Sequence, residues 1–403
     1  MTDESSPVLP SLRPLPYHLA VVSALRTNEP EVWKWISSAE ARDEYADQVR
    51  GELLKETYRL DAEAHSEVHQ CCAAAAQRLG IDIPITLYQR GDVTMNAALY
   101  FVPGEAHVVF SGPLLERLRG AELEAVIGHE LSHYLLWELD GGVYHTADRI
   151  LSAVAQDRRS SAGQLQTARL FRLYTEIFAD RGGAVACNAL LPAVNALVKT
   201  QTGLTEVSGA HYLKQAEEIC APGKLKAAGD SHPEIYVRAR ALRLWCEGDA
   251  DADGWLVDAL QGPPAFDQLD LLGQQQLTSL TRRVLARILQ PKCLRSEIML
   301  GHAKKFFPDF ECSAAPDSEL DAEVAAATGM HDFIAYLLMD FAVADPDLDN
   351  IPLAANLELA KSLGLTATFE RIAQKELSMP KRQFNKLKQD AAALLAKAEQ
   401  DHV

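Results

Sequence analysis

The sequence lacks long hydrophobic runs. Its longest apolar stretch near the C-terminus, Phe333 to Ala344, is interrupted by Asp340, and the stretch Leu19 to Leu25 near the start is short and contains Ser23. A membrane-spanning helix needs about 20 consecutive apolar residues, and a secretory signal needs an uninterrupted apolar core. We therefore expect neither a transmembrane segment nor a secretory signal.

Positive charge is scarce as well. The chain has 39 Lys and Arg residues against 56 Asp and Glu residues, which gives a formal net charge of -17. Phosphate backbones and anionic lipid surfaces repel such a protein. This composition disfavours nucleic acid and membrane surfaces as partners.

Cysteine is also rare. The seven cysteines are an odd number, and apart from the adjacent Cys71 and Cys72 they have no paired spacing. Disulfide frameworks use even numbers at regular spacing, whereas free thiols are typical of reducing compartments. We interpret the protein as cytoplasmic.

The residues that are present predict a globular, helix-dominated α+β protein. With 403 residues and 48% hydrophobic composition, the chain can form more than one domain with its own core. Alternation of apolar and polar residues predicts strands at Ile85–Arg90, Met95–Phe101 and Ala106–Gly112, which follow a helix at Asp61–Leu79. These strands form a small antiparallel or mixed sheet.

A helical period dominates the rest of the chain. In Ala121–Glu138, apolar residues recur at spacings of three and four, as in a buried amphipathic helix. Residues 1–30 are rich in proline and predict irregular backbone. The same period predicts further helices at Glu31–Arg59, Gln164–Lys199 with a kink at Pro192, and Ser231–Trp245.

The amphipathic helix contains the motif HELSH. It places His129 and His133 four residues apart on one helix face, where both imidazoles can reach one metal ion. Two neutral imidazoles suit Zn²⁺, and a zinc ion that keeps an open position lowers the pKa of bound water to about 7. Glu130 next to the first histidine can accept the proton of that water. We therefore predict Glu130 as a general base.

A zinc site of this kind needs a third protein ligand. Glu176, 43 residues after His133, is the candidate, and Asp180 follows it one helical turn later. A carboxylate at Asp180 can accept the second ring N–H of a ligating histidine and fix its tautomer. The alternative for Asp180 is an ion pair with Arg181 or another basic residue.

Together, HELSH and the later segment EIFAD resemble the M48 family of zinc metalloendopeptidases, relatives of the CaaX prenyl endoprotease and of the heat-shock protease HtpX. The resemblance covers roughly residues 60 to 248. It implies a zincin-like peptidase fold with His129, His133 and Glu176 as zinc ligands. Many members of that family are membrane-bound, so the lack of a spanning segment is a departure from the pattern.

Two further blocks resemble the same family. The segment MNAALY implies that Asn96 lies along the cleft and binds the substrate main chain, and DSHPEIYVRARAL implies catalytic roles for His232 and Arg238. By the resemblance, His232 is an oxyanion donor. The alternatives are an ordinary strand-edge amide for Asn96, a helix N-terminal residue for His232 and a surface arginine for Arg238.

The C-terminal region resembles a different family. Asp332 to Leu365 is similar to the helical TerB-like domains of tellurite resistance, although Pro346 stands where that family usually has glycine. We predict a leader at residues 1–60 that is first proline-rich and then helical, a peptidase domain at 61–248, a helical connector at 249–310 and a TerB-like helical domain at 311–403.

The function that these residues predict is zinc-dependent hydrolysis of internal peptide bonds in protein substrates. Two alternatives remain open. One is a zinc-binding chaperone or adaptor with a protease-like fold, and the other is a latent protease whose cleft is covered by its own helical additions. An intact Glu130 disfavours the first alternative, because a binding protein has no need of a base beside the metal.

Overall fold

The computed structural model describes residues 9–221, 226–262, 266–312 and 317–401. The chain divides into two compact units, Met1–Gly262 and Pro263–Val403. The first unit contains the sheet and all the predicted site residues. Within the described residues, no helix is both long and apolar enough to cross a membrane.

The first unit combines eleven described helices with four strands. Its helices are α1 (Pro16–Asn28), α2 (Pro30–Ile36), α3 (Ala39–Glu56), α4 (Ser66–Leu79), α5 (Leu114–Arg117), α6 (Gly120–Gln156), α7 (Ala162–Cys187), α8 (Leu190–Thr202), α9 (Gly209–Cys220), α10 (Ile235–Cys246) and α11 (Ala252–Gln261). Its strands are β1 (Tyr58–Arg59), β2 (Ile85–Arg90), β3 (Asn96–Val102) and β4 (Glu105–Ser111).

The sheet is mixed. The strand order is β1-β2-β4-β3, in which β2 and β4 run parallel while β3 and β4 form an antiparallel hairpin. The three strands predicted from alternation lie within one residue of the observed bounds, so this prediction is confirmed. Because β3 is the last strand of the sheet, its outer edge pairs with no other strand among the described residues. An edge strand offers unpaired backbone groups to a second chain.

The core of the first unit is built on the crossing of α6 and α7. A Cβ atom at Gly183 would lie 2.7 Å from the carbonyl oxygen of Ala125, so only glycine allows the two backbones to approach this closely. Aromatic residues on α7 are fully buried, with Phe171 and Phe178 each 0% exposed. The close approach of α6 and α7 places the HELSH motif next to Glu176.

Helix α6 changes direction in its middle. Leu139 has an extended backbone, and Asp140, Gly141 and Gly142 have left-handed conformations with φ of 54°, 76° and 82°. Two successive glycines permit this conformation at little cost, whereas other side chains resist it. The second segment of α6 therefore takes its own direction beyond the kink.

The predicted helix Gln164–Lys199 is wrong as a single element. Helix α7 ends at Cys187, where Asn188 adopts a left-handed conformation with φ of 51°, and α8 begins at Leu190. Asparagine tolerates this helix-ending conformation better than most residues. Pro192 lies in the first turn of the new helix, where it loses no hydrogen bond.

The prediction of irregular backbone over residues 1–30 is wrong from Pro16 onward. Pro16 is the first residue of α1, a position where its fixed φ favours a helix. The ring of Tyr17 stacks on Tyr174 of α7 at a centroid distance of 4.6 Å, and His18 is 0% exposed. Residues 1–8 lie outside the described residues. The leader is thus part of the core of the first unit.

Helix α11 belongs to the first unit. Asp253 in its first turn pairs with Arg181 of α7 at 3.0 Å. The predicted peptidase domain ends at residue 248, whereas the compact unit continues through α11 to Gly262. The division into four parts stays a prediction.

Every regular element described in the second unit is helical. The helices are α12 (Leu271–Ile288), α13 (Glu297–Phe306), α14 (Leu320–Ala326), α15 (His331–Ala342), α16 (Ile351–Ser362), α17 (Thr366–Leu377) and α18 (Lys381–Asp401). They share one apolar core, in which residues of α12 pack with those of α15 to α18. The resemblance of its last part to TerB-like domains stays a prediction.

Candidate metal centre

Three predicted ligands meet where α6 crosses α7. The ligand atoms of His129, His133 and Glu176 all lie within 4.8 Å of one another. The Nε2 atoms of the two histidines are 3.5 and 3.7 Å from the carboxylate oxygens of Glu176. Among the residues that the structure describes, this is the group of histidine and acidic side chains that can hold a metal ion.

Asp180 orients the first histidine. Its Oδ1 lies 3.1 Å from Nδ1 of His129, so that ring nitrogen carries the hydrogen and Nε2 is left to face Glu176. Burial by itself lowers the pKa of His129, but the hydrogen bonds with Asp180 and Glu176 outweigh it and raise the pKa to about 10. The structure thus brings Asp180 to the place that the sequence predicts.

Arg238 holds the same carboxylate from the other side. Its Nε and Nη2 donate to the two oxygens of Asp180 at 2.8 and 2.7 Å, and Nη2 is 3.4 Å from Glu176. Arg238 is not a surface residue, because its side chain is only 11% exposed. Arg181 pairs with Asp253 instead of Asp180. Arg238 therefore holds the carboxylates of Asp180 and Glu176 in place through its hydrogen bonds and its positive charge.

The charge states of His133 and Glu176 suit a divalent cation, and His129 gives up one proton when it binds one. Burial lowers the pKa of His133 to about 4, so its imidazole is neutral near pH 7. Burial also opposes ionisation of Glu176, but the hydrogen bond from His129 and the charge of Arg238 hold its pKa below the usual range. Oε2 of Glu176 is buried, and the nearest nitrogen atoms of the described residues, on His129, His232 and Arg238, lie 3.4 to 3.5 Å away, which is longer than an ordinary hydrogen bond. A buried carboxylate oxygen in that state fits a metal ion.

Glu130 lies beside the ligands under the edge strand. Burial raises its pKa to about 7, and a hydrogen bond from the backbone N–H of Leu99 in β3 offsets part of the shift. A carboxyl with a pKa near the working pH is suited to accept and return a proton. The contact with Leu99 also connects this carboxylate to the free edge of the sheet.

His232 lies in the loop before α10. Its Nε2 is 3.4 Å from Glu176, and its Nδ1 is 2.9 Å from the hydroxyl of Ser231. Since α10 begins only at Ile235, His232 is not part of a helix terminus, and its side chain is 56% exposed. Burial of the part that faces the site lowers the pKa of His232.

Arg169, which was not predicted from the sequence, anchors the loop that carries His232. Its Nε and Nη2 donate to the carbonyl oxygens of Gly229 and Ala227 at 2.9 and 2.5 Å. Arg169 lies two turns before Glu176 on α7, so one helix positions both the loop and a ligand. The spacing of seven residues is a signal that could have identified it.

A cavity of about 450 Å³ surrounds the metal centre. Asn96, Ala97, Ala98 and Leu99 of β3 line one wall, and the exposed Asn96 lies at the start of that strand. The residues of the other walls were not predicted from the sequence. Small and apolar residues of three helices form one part, namely Ala125, Val126, Ala193, Ala196, Leu197 and Leu242. Polar and aromatic residues form another, namely Trp137, Asp148, Arg172 and Thr175.

The part of the chain that carries this site is similar to known peptidases. Residues 60–246 match Peptidase family M48. Over 201 residues the chain is 27% identical to the plastoglobule-localized metallopeptidase 48, chloroplastic, of Arabidopsis thaliana, and the alignment covers 45% of this chain and 57% of that protein. The chain thus spans little more than half of that relative. No solved structure matches this chain.

Proposed function

We propose that this chain, whose residues 60–246 are a Peptidase family M48 domain, is a zinc-dependent metalloendopeptidase that cleaves internal peptide bonds of protein substrates. The observation that carries the proposal is the cluster of His129, His133 and Glu176 with Glu130 beside it in an open cavity. Two imidazoles and one carboxylate are a ligand set of catalytic zinc sites, which keep a position for water.

Glu130 is the proposed general base. When bound by His129, His133 and Glu176, zinc supplies Lewis acidity that polarises a carbonyl group and acidifies water. The Glu130 carboxylate, with a pKa raised to about 7, accepts a proton from the attacking water and returns it to the leaving amine. Asp180 keeps the hydrogen of His129 on Nδ1 throughout, and Arg238 keeps Asp180 ionised.

The free edge of β3 is the proposed place for the substrate backbone. An extended peptide can pair with an edge strand through main-chain hydrogen bonds without reading side chains. The edge runs along the cavity from Asn96 to Leu99, and Leu99 already points its N–H at Glu130. The amide of Asn96 can both donate to and accept from the substrate main chain.

His232 is the proposed oxyanion donor. It is exposed to the cavity, lies 3.4 Å from Glu176 and is held by a loop that Arg169 anchors. A donor aimed at the developing oxyanion acts mainly in the transition state. Arg238 is proposed as a positioning residue because its contacts are to Asp180 and Glu176.

The remaining features of the proposal concern partners and location. The seven cysteines are all free, which supports a reducing compartment, and we propose the cytoplasm. The proposed partner is a protein or peptide substrate, and nucleic acid is excluded from the proposal by the net charge of -17. None of the described leader residues 9–60 lines the cavity, which speaks against a cleft covered by the leader.

One experiment tests the proposed function. The zinc-loaded full chain is incubated with unfolded proteins, and fragments are identified by mass spectrometry. We expect internal cleavage by the wild type and none by Glu130→Gln, while both retain one zinc per chain. Tight binding of unfolded proteins without cleavage by either form would instead support a chaperone or adaptor.

A further inference from the structure

One end of the cavity carries side chains that the proposed mechanism leaves unused. Trp137, Asp148, Arg172 and Thr175 all line it, and none of them is a proposed ligand or base. Trp137 lies one turn after His133 on α6, and Arg172 lies one turn before Glu176 on α7. This end is therefore about 6 Å from the ligands along either helix.

The kink in α6 brings Asp148 to this end. Asp148 lies in the second segment of α6, beyond the four non-helical residues Leu139 to Gly142, and it still lines the same cavity as the HELSH motif. An unkinked helix would place Asp148 about 22 Å along the axis from His133, since each residue adds about 1.5 Å. The change in direction thus folds an acidic side chain back toward the metal centre.

The carboxylate of Asp148 accepts no hydrogen bond from the part of the chain that the structure describes. Among the described residues it takes part in no hydrogen bond and no ion pair, although it is half-buried. Burial raises the pKa of Asp148 to about 6, and the charge of Arg172 counteracts part of that shift. Arg172 itself donates through Nε to the carbonyl oxygen of Ala168 at 3.3 Å. A partly desolvated carboxylate without a donor is stabilised by a ligand that brings one.

An aromatic face lies at the same end. The indole of Trp137 packs against the rings of Phe101, His133 and His145 at centroid distances of 5.5, 5.7 and 5.7 Å, so its orientation is fixed. A fixed indole attracts the stem and the charge of a lysine or arginine side chain. The indole and the carboxylate favour a cation at this end, although Arg172 also lines it and competes for Asp148.

We propose that Trp137 and Asp148 form a subsite for a lysine or arginine side chain of the peptide substrate, one or two residues from the cleaved bond. The distance fits, because an extended peptide advances about 3.3 Å per residue. The net charge of -17 also attracts basic peptides to the molecule. This inference rests on the proposed peptidase function and names its substrate class.

Paired peptides test the subsite in two ways. Peptides with lysine or norleucine at one position are compared as substrates of the wild type and as ligands of Glu130→Gln, whose binding is read without hydrolysis. We expect lysine to be preferred about 10- to 100-fold in kcat/KM, as for one charge-assisted hydrogen bond. Asp148→Asn should remove the preference, whereas norleucine peptides should be cleaved as before.

Two more variants separate the subsite from general effects. Glu138→Gln removes an exposed carboxylate of α6 that does not line the cavity, and it should keep the lysine preference. Asp148→Arg should shift the preference to glutamate, a gain that a damaged fold would not produce.

The outcomes are distinct from failure of the proposed function. Cleavage by the wild type without a lysine preference, or a preference for acidic peptides, would overturn the subsite and leave the peptidase intact. If no form hydrolyses any peptide, the proposed peptidase function is overturned. Whether Glu130→Gln binds lysine peptides more tightly than norleucine peptides would still show whether the subsite exists.

Discussion

The pair of Asp180 and Arg238 gives the sharpest test of how the metal centre is supported. The two side chains are 8% and 11% exposed and form two hydrogen bonds of 2.7 and 2.8 Å. Asp180→Asn would remove the negative charge that the guanidinium of Arg238 binds and leave that guanidinium buried with Glu176 and Glu130 as its acidic neighbours. Removing one partner of a buried ion pair costs about 3 to 5 kcal/mol.

The expected effect on melting follows from the size of the unit. One kcal/mol shifts the melting temperature of a unit of 150 to 250 residues by about 2 to 4 °C, so Asp180→Asn should lower it by roughly 6 to 20 °C. Replacing both residues, as in Asp180→Asn with Arg238→Met, should recover much of that loss because neither partner of the pair is left alone, while Glu176 keeps its contact with His129. The two substitutions should therefore be strongly non-additive.

The pH dependence has a definite sign. Arg238 and His129 hold the pKa of Asp180 below its usual range even though burial opposes this. The stabilisation is therefore complete above the ordinary aspartate pKa of about 3.9 and is lost as the pH falls through the lower folded pKa. The difference between wild type and Asp180→Asn should be full at pH 7 and should shrink in acid.

The assay is the melting curve of the metal-free full chain, followed by a zinc titration. Asp180→Asn should also weaken zinc binding about 10- to 100-fold, whereas Arg238→Met, which keeps the contact between Asp180 and His129, should weaken it less. The control is Asp47→Asn, an exposed partner of Arg50 whose loss should leave the melting temperature unchanged. Equal melting of Asp180→Asn and this control would refute the reasoning.

Four further expectations follow from the same site. Zinc analysis should find one ion per chain in the wild type and less than one in Glu176→Ala, because the other two ligands alone cannot complete the set. His232→Ala should retain zinc but lower kcat about 10²- to 10³-fold, and a raised KM at normal kcat would instead make His232 a binding residue. Arg169→Ala should also lower kcat, and combining it with His232→Ala should cause no further loss. Asn96→Ala should reduce kcat/KM at unchanged zinc content, and undiminished cleavage would remove it from the site. The kcat/KM of the wild type should fall as the pH drops below about 7, since Glu130 then becomes protonated, and steady activity down to pH 5 would exclude it as the base.

The sequence predicted the helices and strands that follow from a regular spacing of apolar residues. The spacing of Leu123, Ile127 and Leu131 identified the buried face of α6, and alternation located three strands to within one residue. The same helical period fixes the relative positions of His129 and His133, because four residues make about one turn. Local regularity of this kind does not depend on distant contacts.

Other parts depend on single residues or on contacts between distant segments. Asn188 interrupts an otherwise helical pattern, and Pro16 begins a helix in a segment whose prolines suggest none. Asp148 reaches the cavity only because of the kink in α6, which fixes a direction that no period encodes. The carbonyls that Arg169 anchors lie about 60 residues away in the sequence. These features follow from tertiary structure.

The helix α1 bears on how such a protein can be regulated. Nδ1 of His18 accepts the backbone N–H of Leu15, and Nε2 donates to the hydroxyl of Thr175, the neighbour of Glu176. Burial lowers the pKa of His18 to about 3, so it stays neutral and keeps these bonds across the physiological range. Many proteases are made as zymogens and activated when an N-terminal segment is cut away. Here the same cut would empty the core behind Glu176, so we expect trimming through α1 to disrupt the site and not to activate it.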